Sequence, residues 1–440
     1  MIPDLERCVR LVPELARPFY RGRVEVVSGV LVEAAGVRAA LGEVCRIDRG
    51  RLGIVDAEVV GFRGSSALLM PHGDLVGIAP GQEVVSTGRT FEIGVSEDLL
   101  GRVLDGFASP LDGGPRVSRA AVLAVRREAP PPLERVPIDA ALPTGVRVVD
   151  GLNTIGRGQR LGVFAGSGVG KSTLLGQITR GTEAEVVVCC LVGERGREVR
   201  AFVEEVLGEA GRTKSVLVVA TSDRPPIERF LAPFVAVTIA EFFRDSGRDV
   251  LMVMDSVTRF AGASREIGLA AGEPPTVRGY PPSFFATVPK LLERMGRTRL
   301  GSITGLITVL LENDDPNEPV ADTLRGLLDG HLLLSRELFQ AGHFPAVDVL
   351  GSLSRLMPDL APPDVLRRAA ALRDALAAHR EGRDLIEIGA YKAGTNPRLD
   401  RALELLPTIE TFLRQPLGEL TPIEHTLELL ARVADRELET

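Results

Sequence analysis

Between Ala165 and Thr173 the chain reads Ala165-Gly166-Ser167-Gly168-Val169-Gly170-Lys171-Ser172-Thr173. Glycines alternating with small residues before a Lys-Ser pair suit a loop that wraps an anion. Glycine takes backbone angles closed to other residues, so successive N–H groups can turn inward on a phosphate. A helix beginning at Lys171 would add the partial positive charge of its N-terminus. Lys171 would reach the outer phosphates, and the Ser172 hydroxyl would hold Mg²⁺. Leu161-Gly162-Val163-Phe164-Ala165 in front reads as a buried strand, and Leu174, Leu175 and Ile178 behind read as a helix. Strand, glycine-rich turn, Lys-Ser and helix is the order a phosphate-binding loop requires, and it outweighs a chance glycine-rich turn. Ala165 stands where the first glycine is usual; that residue ends the strand and needs no special geometry.

Phosphate loops serve many reactions, so their companions decide. Val250-Leu251-Met252-Val253-Met254-Asp255 is an apolar strand ending in an acid, the place for a carboxylate that supports Mg²⁺ through water. Asp255-Ser256 also reads as a helix cap, and the two roles are compatible. Glu194 follows another apolar strand in Val192-Gly193-Glu194-Arg195-Gly196-Arg197-Glu198. A carboxylate at the C-terminal end of a strand faces the ligand crevice, where it can polarise the water that attacks a γ-phosphate. The bland alternative is a surface acid paired with a neighbouring arginine. Arg355 ends Val347-Asp348-Val349-Leu350-Gly351-Ser352-Leu353-Ser354-Arg355. It suits either a charge-neutralising finger on a neighbour's nucleotide or a structural ion pair. Phe344, in Gly342-His343-Phe344-Pro345, suits an adenine face, although a core phenylalanine explains it better on sequence alone.

The elements that must position these groups follow from periodicity. From Val148 to Leu360, apolar runs alternate with helical patterns: Leu161–Ala165, Val186–Val192, Val216–Ala220, Val250–Met254, Ile303–Leu311 and His331–Leu334 as strands, Glu198–Leu207 and Pro226–Asp245 as helices. Fully apolar strands between helices predict a mostly parallel sheet covered on both faces. Upstream, short strands at Arg23–Ser28, Val30–Ala34, Gly42–Arg46, Gly53–Phe62, Ser66–Leu69 and Glu83–Ser86 predict a small closed barrel. Residues 96–145, with two Asp-Gly turns and Pro130-Pro131-Pro132, read as a stiff wrapped linker. Beyond Pro362-Pro363 the pattern is helical: Asp364 to His379, Arg383–Tyr391, Pro397–Arg414 and Pro422–Leu438. The predicted architecture is α/β, with boundaries at 1–21 (an amphipathic helix), 22–95 (β-barrel), 96–360 (core with the proline-rich linker at its start) and 361–440 (helical). The first helix, over residues 4–16, suits packing on its own domain or docking to a partner or anionic membrane.

Composition narrows the class. The 440-residue chain is 45% hydrophobic and 25% charged, which suits a soluble protein of two or three domains. Charges interrupt every apolar run short of a membrane span, and the N-terminus lacks a signal-peptide pattern. Four cysteines and five histidines show no metal-ligand spacing, and the cysteines read as buried thiols of a reducing compartment. A net charge of −7, 4% aromatics and no Trp argue against nucleic-acid binding.

Long stretches resemble the type III secretion ATPases, flagellar and injectisome, relatives of rotary ATP synthase catalytic subunits. They include RGQRLGVFAGSGVGKSTLLG, LVGERGREVRAFVEE, DSVTRFAGASREIGLAAGEPPTVRGYPPSFFA, DDPNEPVADTLRGLLDGHLLLSRELFQAGHFPAVDVLGSLSRLMP and IGAYKAGTNPRLDRALELLP, within residues 22–415. GERGREV with REIGLAAGEPP separates the family from the synthase subunits. The resemblance implies a RecA-like core and a homohexamer that hydrolyses ATP with Mg²⁺ to energise protein export, releasing chaperones and unfolding cargo. It implies Gly166–Ser172 as phosphate loop, Glu194 as water-activating carboxylate, Asp255 as Mg²⁺-supporting acid, and Arg195 near the phosphates. Arg355 becomes the trans-acting finger, and Phe344 stands where the family has a Tyr on adenine. Ile267–Pro282 matches a pore-lining segment. Implied partners are copies of itself, a stator-like regulator, a central stalk, chaperones with cargo, and the inner-membrane export gate at whose cytoplasmic face it would sit. Two readings share the core: a rotary proton-coupled synthase subunit, and a hexameric RNA translocase.

Overall fold

The computed structural model describes residues 20–312, 315 and 318–438. The helix expected over residues 4–16 lies outside them. All six short strands are present and close into an antiparallel barrel, in the order Arg21–Ser28, Leu31–Ala35, Ser66–Pro71, Ile54–Arg63, Glu43–Asp48, Glu83–Thr90. Alternation puts Val24, Val32, Ala34, Cys45, Ile47, Ala57, Val59 and Leu69 inside.

The core is a nine-stranded sheet. Its order is Val347–Ser354, Gly330–Leu334, Arg160–Ala165, Ser302–Leu310, Asp249–Asp255, Val186–Val192, Ser215–Ala220 and Val103–Asp105, with Gly296–Arg297 paired to Ser302–Leu310. Only Val347–Ser354 and Gly296–Arg297 run antiparallel to their neighbours. Both faces are covered, as the unbroken apolar runs demand. Val186, Val188, Cys190 and Val192 pack with the helices Pro226–Asp245 and Val257–Ala270; Val187, Cys189 and Leu191 pack with the helix Lys171–Gly181 and the C-terminal helices.

The structure corrects four local expectations. Residues 96–145 are more than a linker: Val103–Asp105 forms the sheet edge beside Ser215–Ala220, and Ala121–Ala124 pairs with Glu92–Val95. Val347–Ser354 is itself a strand; its buried face shifts at an irregularity from Val347 and Val349 to Ser352 and Ser354, with Leu353 turned outward, so the sequence shows no clean period of two. The helix expected over Glu198–Leu207 is α-helical at Gly196–Ala201 and widens to a π turn at Phe202–Leu207. The helices expected at Asp364–His379 and Arg383–Tyr391 are one, Pro363–Glu387. Gly382 does not break it; that glycine admits Leu399, whose Cδ2 would lie 2.4 Å from a Cβ there.

Arg294 holds the linker to the core. Its side chain is 1% exposed and donates to both Glu241 carboxylate oxygens (2.9 and 2.7 Å), Thr238 Oγ1 (2.8 Å) and the Val125 carbonyl (2.8 Å). Arg294→Met would leave the buried Glu241 with only Arg127 at 3.2 Å. The expected loss is about 3–5 kcal/mol, read as a lowered denaturant midpoint; an unchanged midpoint would show that Arg127 alone suffices.

Candidate active site

Strand Arg160–Ala165 runs in parallel register between Ser302–Leu310 and Gly330–Leu334 and ends at Ala165, opposite Leu310. Ala165 is therefore a buried strand residue, and no glycine is needed there. The loop follows at once. Gly168 (φ 76°) and Gly170 (φ 83°) take the left-handed region, and the helix Lys171–Gly181 starts at the next residue. Gly166 to Thr173 line one side of a cavity of about 730 Å³. Glu194, Arg195, Ser222, Asp255 and Leu310 close it from the neighbouring strand ends, and Arg259 and Phe339 from the helices Val257–Ala270 and Arg336–Gln340. That is the C-terminal edge of a parallel sheet, where α/β proteins bind ligands.

Lys171 Nζ forms an ion pair with Asp255 Oδ1 and lies 4.0 Å from Glu194 Oε1. Thr308 Oγ1 donates to the same Asp255 oxygen at 2.8 Å, so the acid is held from the loop helix and from the neighbouring strand. Ser256, not Asp255, caps the following helix, its Oγ accepting from the Arg259 amide at 3.4 Å. Glu194 does not pair with the adjacent arginine; Arg195 instead reaches Glu198 at 3.5 Å. Burial pushes the Glu194 carboxyl up to about 7; the Asp255 charge adds to this and Lys171 opposes it. A carboxylate tuned near neutrality beside a lysine and a phosphate loop suits proton handling or water alignment.

The donor set fits Mg²⁺. Ser172 and Asp255 supply hard oxygens, and both recorded Asp255 contacts fall on Oδ1, leaving Oδ2 for a hydrated cation. The described residues contain no cluster of three or more metal-ligating side chains. Mg²⁺ needs none, since it keeps waters and takes the rest of its ligands from phosphates.

The structure does not bring Phe344 or Arg355 into this cavity. Phe344 is half-buried and stands edge-on to Phe339, ring centroids 5.4 Å apart. Phe339 is the lining residue, 3.6 Å from where a Gly170 Cβ would be. Arg355 is exposed at the opposite end of the sheet. Ser354 pairs with Gly330, one residue before the His331 that pairs with Gly162, and the Arg355 amide donates to Asp329 O at 3.0 Å. The length of strand Arg160–Ala165, roughly 17 Å at ~3.3 Å per residue, separates that end from the phosphate loop. Sequence reading also missed Arg259, Phe202 and Val206. Arg259, four residues past Asp255 on a helix start, was findable; Val206 reaches the loop helix only through the π turn, packing where Gly176 has no side chain.

Three family descriptions match the three layers: the ATP synthase alpha/beta family beta-barrel domain at residues 24–88, its nucleotide-binding domain at 145–354, and the T3SS EscN ATPase C-terminal domain at 361–432. The type 3 secretion system ATPase of Xanthomonas euvesicatoria is 50% identical over 416 residues, 94% of each chain. The chain belongs to the type III secretion ATPase family. Flagellar members are similar too: the flagellum-specific ATP synthase of Bacillus subtilis is 46% identical over 94% of this chain and 95% of its own. Among solved structures, the assembled ATPase EscN of enteropathogenic E. coli superposes with a TM-score of 0.89 at 42% identity, covering 94% of this chain and all of that one. EscN in complex with its central stalk EscO gives 0.87, at the same identity and coverage. As a member of this family the chain is a P-loop ATPase, with the nucleotide as substrate. Among the described residues, no helix is long and apolar enough to cross a membrane.

Proposed function

We propose that this ATPase works as a homohexamer at the cytoplasmic face of the inner membrane, with nucleotide bound between copies. There it energises flagellar or injectisome export, releasing chaperones and unfolding cargo. Its partners are a central stalk, a stator-like regulator and the export gate. The observation that carries the ring is the sheet geometry: Arg355 stands at the end opposite the phosphate loop. A head-to-tail ring of identical copies lets each exposed Arg355 meet the next copy's loop, so one sequence completes every site.

In that site the loop amides and Lys171 hold the phosphates in line for water attack. Ser172 and Asp255 would hold Mg²⁺, which spreads the negative charge of the phosphate oxygens. Thr308 keeps Asp255 oriented. Glu194 accepts a hydrogen bond from the attacking water, while Arg195 and Arg259 lie where phosphate charge accumulates. Arg355 of the neighbouring copy stabilises the transferring group. Phe339, braced by Phe344, offers an apolar wall for the base. Phe339→Ala should raise the KM for ATP about ten-fold with little change in kcat; a kcat loss at unchanged KM would remove it from ground-state binding.

The export reading is tested in cells whose own copy of this gene is deleted. The wild-type chain should restore secretion of the cognate substrates, and Lys171→Ala should not. Restoration by Lys171→Ala would separate export from hydrolysis and overturn the reading.

A further inference from the structure

Leu133 is 94% exposed, the highest value for a large hydrophobic side chain among the described residues. It does not hang on a loose loop. Pro130, Pro131 and Pro132 restrict the backbone before it. Arg135 pins the chain after it, donating to Met295 O at 2.9 Å and pairing with Glu293 at 3.0 Å. Arg135 also bridges Thr298 in antiparallel sense, and the Val136 amide donates to Arg297 O at 3.3 Å. Leu133 is the middle residue of the single 3-10 turn Pro132–Glu134, and Leu300, in the tight turn that follows Thr298 on the bridged segment, is itself 62% exposed. The result is an apolar knob on a stiff turn, which loses little entropy when covered.

Its position says what covers it. The segment continues to Ile138, which meets Leu360 over Gly156, where a Cβ would lie 2.4 Å from one and 2.9 Å from the other. Glu293 also pairs with Arg160 at 2.6 Å; Arg160 bonds Asp329 at 3.4 Å, and Asp329 O receives the Arg355 amide. Leu133 and Arg355 therefore stand on one end of the sheet. In a head-to-tail ring, the face that presents Arg355 is buried against the phosphate-loop face of the next copy. We propose that Leu133, with Leu300, is an apolar anchor of the contact between copies of this chain, seating the neighbour so that Arg355 enters its site. This rests on the ring reading above.

Sedimentation velocity of the full chain with a non-hydrolysable ATP analogue tests it, beside ATPase assays over the same concentrations. Leu133→Asp should fold as wild type, since the side chain touches little of its own copy. It should raise the concentration for half-assembly by roughly ten- to hundred-fold, the loss expected for one exposed leucine that is otherwise buried. Turnover per chain should recover at high concentration. Arg355→Ala should do the reverse, assembling as wild type and not hydrolysing. Wild-type assembly by both Leu133→Asp and the Leu133→Asp/Leu300→Asp double variant overturns the anchor. A wild-type chain that stays monomeric overturns anchor and ring together. An assembling Arg355→Ala that still hydrolyses overturns only the trans finger.

Discussion

Glu194→Gln lowers turnover by roughly 10²–10⁴-fold, the worth of a positioned general base, while ATP still binds. The amide keeps the size of the side chain and its place beside Lys171 but cannot take a proton or orient water by charge. The pH dependence identifies the residue. In the free protein the Glu194 carboxyl is pushed up to about 7, chiefly by burial, from an ordinary value of 4.5. Wild-type kcat/KM, which reports the free enzyme, should rise through about pH 7 and then level as Glu194 ionises. The Gln variant should lack that limb. Stability moves the opposite way. Between about 4.5 and 7 the unfolded chain loses this proton and the folded one keeps it, so wild-type stability falls as pH rises through the window. Glu194→Gln removes that slope. Wild-type turnover by the variant, or a limb near neutrality that survives the substitution, would take the water-aligning role from Glu194.

Much of this site is written locally. The phosphate loop, its strand and its helix are contiguous, and each residue type answers a short-range demand: no Cβ at Gly168 and Gly170, a strand end at Ala165, a cation at Lys171. Asp255 and Glu194 are legible for a related reason. Each ends an unbroken apolar run, and in a parallel sheet every such end faces the same crevice. What escapes the sequence depends on which strands are neighbours. Nothing between Val347 and Arg355 says that the strand runs antiparallel at the sheet edge, so nothing there says Arg355 is delivered to the far end. Phe339 and Phe344 are equally apolar and five residues apart; only the packing of their rings decides which one faces the loop. The strand Val103–Asp105 is too short to show a period, and its partner is more than a hundred residues away. Helix continuity across Gly382 likewise depends on Leu399 arriving from another helix.

The antiparallel edge strand makes the sharpest test. If Arg355 serves a neighbour, Arg355→Ala and Lys171→Ala should each lower turnover by about 10³-fold or more, and for different reasons. The first chain keeps a working phosphate loop and lacks a finger to offer; the second offers a finger and cannot hold phosphate. Mixed in equal amounts and allowed to assemble, a site works when an Arg355→Ala loop meets a Lys171→Ala neighbour. Random order in a closed head-to-tail ring makes that about one quarter of all sites, so the mixture should recover up to about a quarter of wild-type activity from two nearly inactive parents. Recovery should grow with protein concentration, because the site exists only between copies. Cooperative firing around the ring would lower the yield without abolishing it. A self-contained site behaves otherwise: no recovery at any ratio, and specific activity independent of concentration. That result would take Arg355 out of the neighbour's site and leave it a structural residue of the sheet end, because reaching its own loop would mean crossing the length of strand Arg160–Ala165.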